Sequence, residues 1–140
     1  MVRFHIFYLF MNKSIISFLI AIKNASLLKK EIVTFFFNKK FILLSKVLYK
    51  QGLIQDFWLE KQIYSKIKII ISLKYFFNFS NFLTLKIVSK SCRPLFFSYK
   101  DLCKLYEKQV LYIFSTSKGY LTSFECKRLN VGGVLFFYVK

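Results

Sequence analysis

Charged residues cut every apolar run in this chain short of membrane-spanning length, and this limits its fold more than any other feature. The mean hydropathy is +0.44, and 56% of the residues are hydrophobic. A spanning helix needs roughly 18 or more mostly apolar residues. Residues 14–22 lie between Lys13 and Lys23, and residues 32–38 between Glu31 and Lys39. No charge-free run is longer than residues 75–85, and that run contains Asn78, Ser80 and Asn81. The first twenty residues resemble a signal peptide, but Asn12, Lys13 and Ser14 interrupt them and no small-residue cleavage site follows. The apolar content must therefore be buried in a folded core. A chain of 140 residues holds one compact unit or two small subdomains.

Periodicity divides the chain into short elements. Ile15, Ile16, Phe18, Leu19 and Ile22 recur at helical spacing, so a helix is predicted over 14–26 with Ser14 as its cap. Residues 31–36 are rich in β-formers and read as a strand. Asn38 can cap a second helix through Leu48, and Gly52 can end it. Residues 53–60 and 63–73 read as strands joined by a turn near Lys61 and Gln62; in the second, Lys66 and Lys68 alternate with Ile67 and Ile69. Residues 75–81 lack a clear period and mark a boundary. Strands are predicted over 82–88, 95–98, 110–114 and 134–139, with one helical turn over 101–106. Thr122 and Glu125 have capping-box spacing ahead of a short helix. With 4 Gly and 1 Pro, the linkers must be short.

The formal net charge is +17, from 23 Lys+Arg against 6 Asp+Glu. Charge of that size speaks of partners, here nucleic acid or an anionic membrane surface. Only Arg3, Arg93 and Arg128 are Arg. Lys is a flexible point charge, so this surface favours phosphate contacts over bidentate reading of bases. Catalytic groups are sparse. His5 is the only His, so acid/base pairs are hard to assemble. Asp56 and Glu60 share one face of a predicted strand, where a solvated face or pairing with nearby Lys explains them. Phe57 and Trp58 alternate there, one toward the core and one toward the surface. Cys92, Cys103 and Cys126 form no Cys-x-x-Cys pair, which argues against a metal site or a disulfide framework. No catalytic residue, metal or cofactor is expected.

The segment Ser115-Thr116-Ser117-Lys118-Gly119, followed by Gly132-Gly133, carries the functional signal. Small hydroxyl side chains and Gly let a backbone approach a partner closely. Such a loop suits RNA, which presents its 2′-hydroxyls in a shallow minor groove. The same wording resembles the carboxyl end of the eighth small-subunit ribosomal protein family, found in bacteria and organelles. Other landmarks follow the family's order: Ile22-Lys23-Asn24-Ala25, then residues 50–57 around Gly52, then Val88-Ser89-Lys90. Ser91-Cys92 stand where the family usually has Pro-Gly, and Val134 stands where it commonly has a Glu that contacts RNA.

The resemblance implies an α+β fold of two small subdomains. An α/β amino-terminal subdomain over 12–78 precedes a β-rich carboxyl-terminal RNA-binding subdomain over 79–140 with a short helix; residues 1–11 form an unmatched extension. It implies a structural, non-enzymatic constituent of the small ribosomal subunit that binds the central domain of its rRNA and supports assembly beside neighbouring proteins. The implied contacts are Ser115, Thr116, Ser117, Lys118 and Gly119, with Gly132 and Gly133 permitting close approach. Lys90 is implied as a phosphate contact, and Lys23 and Asn24 as a second contact. An excess of Phe, Ile, Tyr, Lys and Asn with few Gly and Pro matches an AT-rich genome. Together with the resemblance, it points to a mitochondrial ribosome in the matrix rather than a plastid one. No Arg- and Ser-rich transit peptide is visible, which fits synthesis inside the organelle. A competing reading is a basic peripheral membrane-associated organellar protein, resting on the charge, the aromatic content and the apolar amino terminus.

Overall fold

The computed structural model describes residues 2–61, 63, 66–77, 80–88, 93–105 and 110–140, with side chains described except at 2–13 and 81. Its backbone forms two compact units, Ser17–Leu83 and Thr84–Lys140, the latter grouped with the residues through Ile16. Both combine helices with antiparallel sheet, the α+β class that the resemblance implies.

The first helix, α1, runs Val2–Leu27, so it begins well before the predicted start at Ser14. Residues 1–13 contain no Gly or Pro, and nothing in them breaks a helix that the following stripe sustains. Phe18, Leu19, Ile22 and Ala25 are buried along that stripe. The helix closes with Lys29 at φ +54. There the Lys30 N–H donates to the Ala25 carbonyl at 3.0 Å and the Lys29 N–H to the Ser26 carbonyl at 3.2 Å. This pair of reversed bonds is a Schellman ending.

Strand β1 (Ile32–Phe36) precedes helix α2 (Lys39–Lys50). Asn38 caps α2 as predicted, its side chain accepting from the Lys40 N–H at 3.0 Å. Gly52 ends it at φ +69, with Leu53 N–H to Leu48 carbonyl at 3.0 Å and Gly52 N–H to Tyr49 carbonyl at 2.9 Å. Strands β2 (Ile54–Lys61) and β3 (Ile67–Leu73) follow, and the antiparallel order is β1-β3-β2. Pairing extends to Lys61 opposite Ile67, so the second strand starts later than the predicted residue 63. Ile63 is exposed. Ile69, Ile71 and Leu73 fill the core. Phe18 stacks on Phe41 at 4.5 Å and meets Phe35 at 4.6 Å between ring centroids, joining both helices to the sheet. Phe57 packs edge-on against Tyr49 at 6.0 Å, while Trp58 faces outward.

Residues 82–88 do not form the predicted single strand. A 3₁₀ turn at Asn81–Thr84 precedes a two-residue strand β4 (Lys86–Ile87). Ser80 starts the turn, its hydroxyl accepting from the Phe82 N–H and its carbonyl from the Leu83 N–H. Such local bonds compete with extended pairing.

In the second unit, β5 (Leu95–Phe97) leads into α3 (Tyr99–Lys104), then β6 (Leu111–Thr116), β7 (Gly119–Thr122), α4 (Ser123–Arg128) and β8 (Gly133–Val139). The sheet order is β4-β8-β6-β7, with β5 also paired to β8. Leu102 of α3 and Cys126 of α4 pack with Phe114 and Leu135 over one face. Burial, then the Glu125 carboxylate, pushes the Cys126 thiol up to about 11, so it stays protonated at neutral pH. Thr122 and Glu125 form the predicted capping box. Asn130 closes α4 at φ +53 in the same ending that Lys29 and Gly52 make. Among the described residues no helix is long and apolar enough to cross a membrane.

A side chain at position 52 would have to hold a left-handed backbone. Gly52→Ala is therefore expected to lower stability by about 1 kcal/mol, read as a lower urea midpoint at unchanged m-value.

Candidate nucleic-acid interface

Between β6 and β7 the sequence leaves two residues for reversal, Ser117 and Lys118, because Thr116 pairs with Gly119. Ser115 and Thr116, predicted as loop, complete strand β6 instead. Thr116 fixes the turn: its Oγ1 donates to the Gly119 carbonyl at 2.9 Å and accepts from the Lys118 N–H at 3.2 Å. Gly119 supplies the left-handed backbone at φ +106 that a β-carbon would oppose. Ser117 and Lys118 are left exposed at the tip.

This turn forms one wall of an open cleft of about 620 Å³, lined by Phe96, Phe97, Ser98, Ser115, Thr116, Ser117, Gly132, Gly133 and Val134. Strand register explains the convergence. Phe96 pairs with Val134, Val134 with Ser115, and Ser115 with Tyr120. Residues opposite each other on adjacent strands share a face. The row thus runs aromatic, Val, Ser, aromatic across four strands, on the face away from Leu102 and Cys126. Phe96 is 75% exposed at one end. Tyr120 at the other end lies 6.1 Å from the Phe136 ring. Val134 is buried beneath the cleft.

The paired glycines have a structural role within the sheet. A β-carbon on Gly132 would stand 2.7 Å from the Phe97 carbonyl oxygen, and one on Gly133 would stand 2.8 Å from both the Ser115 oxygen and Thr116 Cγ2. The space beside them is filled by the protein's own strands. They permit close approach of β5 and β6 to the start of β8, and so bring the cleft walls together.

Ser98 is a cleft residue already committed elsewhere. Its hydroxyl donates to Asp101 Oδ2 at 2.6 Å, and its N–H donates to the same oxygen at 3.1 Å. The Ser98 hydroxyl, then its N–H, hold the Asp101 carboxyl below its ordinary value of 3.8. A depressed carboxylate stabilises the fold above that ordinary value, and its contribution fades as pH falls through the lowered one.

The expected site residues thus fall into groups. Ser115, Thr116, Ser117, Gly132 and Gly133 meet at one cleft, and Lys118 and Gly119 complete its turn. Lys23 and Asn24 lie on α1 in the other unit, where the Lys23 carbonyl accepts from the Ser26 hydroxyl at 2.7 Å. Lys90, with Ser91 and Cys92, lies outside the described residues. Phe96, Phe97, Ser98 and Tyr120 were not anticipated; only the strand register brings them to this place. No group of side chains able to hold a metal occurs among the described residues.

These features define a class: a small, basic α+β protein with hydroxyls, backbone and a lysine gathered at one open cleft. Comparison with known proteins supplies the family. The profile of Ribosomal protein S8 matches residues 13–139. The small ribosomal subunit protein uS8 of Mesomycoplasma hyopneumoniae is 32% identical over 130 residues, covering 93% of this chain and 98% of that protein. The uS8c of Phaeodactylum tricornutum is 32% identical over 133 residues, covering 91% and 98%. The uS8 of Mycoplasma mobile is 35% identical over 122 residues, covering 86% and 90%. The chain belongs to the Ribosomal protein S8 family, whose members are structural proteins of the small ribosomal subunit and not enzymes.

Gly133→Ala and Gly132→Ala are each expected to cost about 1–3 kcal/mol, as overpacking against fixed backbone does. Urea denaturation of each variant measures this, and a loss under 0.5 kcal/mol would contradict the packing role (roughly the scatter of neutral surface changes).

Proposed function

We propose that the chain binds the central domain of small-subunit rRNA through the cleft between the β6–β7 turn and the start of β8, and so supports assembly of the subunit. The observation that supports it is the convergence of Ser115, Thr116, Ser117, Gly132 and Gly133, distant in sequence, on one open surface of a +17 chain. The carboxyl-terminal subdomain over 79–140 carries the primary contact. Ser115 and Ser117 supply hydroxyls to the RNA backbone and minor groove, and Lys118 supplies charge to a phosphate. Thr116 acts by holding the turn, and Gly119 by allowing it. Gly132 and Gly133 shape the floor. Lys90 meets a phosphate, and Lys23 and Asn24 make a separate, weaker contact. Neutralised phosphates let RNA helices pack, and no bond is made or broken. Neighbouring small-subunit proteins complete the surroundings.

We further propose a mitochondrial ribosome as its place, on the strength of the AT-rich amino-acid bias. Mass spectrometry of small subunits purified from mitochondria and from plastids of the source cell tests this. The protein is expected in the mitochondrial subunits only.

Binding to a central-domain rRNA helix and to an unrelated duplex, across a salt series, tests the interface. Ser115→Ala with Ser117→Ala should weaken specific binding about 30-fold, the worth of two ordinary hydrogen bonds, with the fold intact by circular dichroism. Lys118→Gln should weaken both RNAs alike and reduce the salt slope by about 1. Equal affinity of the unchanged chain for both RNAs would defeat the proposal.

A further inference from the structure

The face of the β1-β3-β2 sheet turned away from the helices is apolar in the middle and acidic at the edge. Alternation from the buried Ile69 and Ile71 assigns the opposite face to Ile32, Phe36, Ile70 and Trp58. Ile32 is 51%, Phe36 71% and Trp58 42% exposed, around an Ile70 that is only 8% exposed. Register places Thr34, Ile70 and Trp58 in one row across the three strands. Large exposed apolar areas mark binding surfaces, and Trp is the side chain most enriched at binding hot spots.

Charge identifies the occupant. Asp101 and Glu125 are tied into helix caps. Asp56 and Glu60 instead flank Trp58 on β2, with Lys68 opposite Glu60. A protein of net charge +17 therefore gathers carboxylates around its exposed Trp. RNA phosphates would be repelled there, and a flat apolar face gives them no hydrogen bonds. A protein packed among the same phosphates carries an excess of Lys and Arg, whose aliphatic stems cover apolar surface. Their charged heads can reach the carboxylates or the face of an indole ring.

We propose that this sheet face docks a basic neighbouring protein of the small subunit, with Trp58 and Phe36 as anchors and Asp56 and Glu60 as its acidic rim. The inference rests on membership in the small subunit and is independent of the RNA cleft.

A photo-crosslinking benzoylphenylalanine at position 58, in chains incorporated into small subunits, provides the test. The expected product joins position 58 to a Lys- and Arg-rich segment of another small-subunit protein. A crosslink to rRNA, or no crosslink in subunits that contain the chain, would overturn the proposal. Absence of the chain from the subunits would overturn the ribosomal placement itself and this surface with it. As a second arm, Trp58→Ala and the pair Asp56→Asn with Glu60→Gln should each bind the isolated rRNA helix within about 2-fold of the parent. Each should also reduce the crosslinked neighbour's occupancy in assembled subunits at least about 5-fold, as truncating an interface anchor does. Unchanged occupancy in both variants would also overturn it.

Discussion

Pairing along both edges of β8 is the constraint on which the second unit depends. One edge meets β6 from Leu111 to Ser115, and the other meets β5 near its start and β4 near its end. Central strands must satisfy backbone groups on both sides. At Gly133 the neighbouring strand comes closer than a β-carbon allows. The cleft is a by-product of that closeness. Phe96, Val134, Ser115 and Tyr120 form a row only because three separate pairings share one register, and a slip of one residue in any of them would turn its side chains to the opposite face.

With only 6 carboxylates in the chain, the placement of Asp101, Glu125, Asp56 and Glu60 matters. Asp101 and Glu125 sit in the first turns of α3 and α4, where a negative charge complements the helix dipole. Each is bound by the N–H of its cap residue. Those two helices are six residues each, too short to persist without caps and packing. The two carboxylates described in the second unit, Asp101 and Glu125, are thereby committed to local structure near helix ends. The exposed tip at Ser117 and Lys118 is left with a positive charge. In the first unit, by contrast, Asp56 and Glu60 lie in a strand with no helix end to cap, and the charge pattern of that sheet face is correspondingly different.

Much of this was legible in the sequence because short-range rules governed it. Asn38, Gly52 and the Thr122–Glu125 pair act within a few residues, and each occupies its expected place. The helix stripe from Phe18 to Ala25 follows from its period alone. Where several local choices competed, the reading failed. Ser14 looked like a cap, yet no breaker precedes it and the helix runs on to Val2. Residues 82–88 have strand composition, but the Ser80 hydroxyl captures the chain into a 3₁₀ turn first. The glycine pair was legible as a close approach and not legible as to what approaches, since that is set by strands 18 and 35 positions away in sequence (Ser115 against Gly133, Phe97 against Gly132). Phe96 has the same difficulty: nothing local distinguishes it from Phe97, which turns inward to lie 5.8 Å from the Phe114 ring.

Val134 decides what kind of recognition the cleft can perform. It is buried between Phe96 and Ser115 in the cross-strand row, so the floor is apolar. A carboxylate there could accept hydrogen bonds from base amino groups or from 2′-hydroxyls, whereas valine accepts none. Ser98 is a poor substitute for that acceptor, because its hydroxyl oxygen already accepts from the Asp101 N–H while its proton goes to Asp101 Oδ2. The side-chain hydrogen-bonding capacity of the cleft is then concentrated in Ser115 and Ser117, with Thr116 engaged in its own turn. For the proposed RNA contact, few side-chain acceptors and an exposed aromatic ring at the rim favour ring faces and sugar edges over the reading of base edges. Base–aromatic stacking is worth about 1–3 kcal/mol and depends little on base identity. For the RNA contact proposed here, a valine at this place in the floor leaves shape and stacking as the larger part of what the cleft can offer.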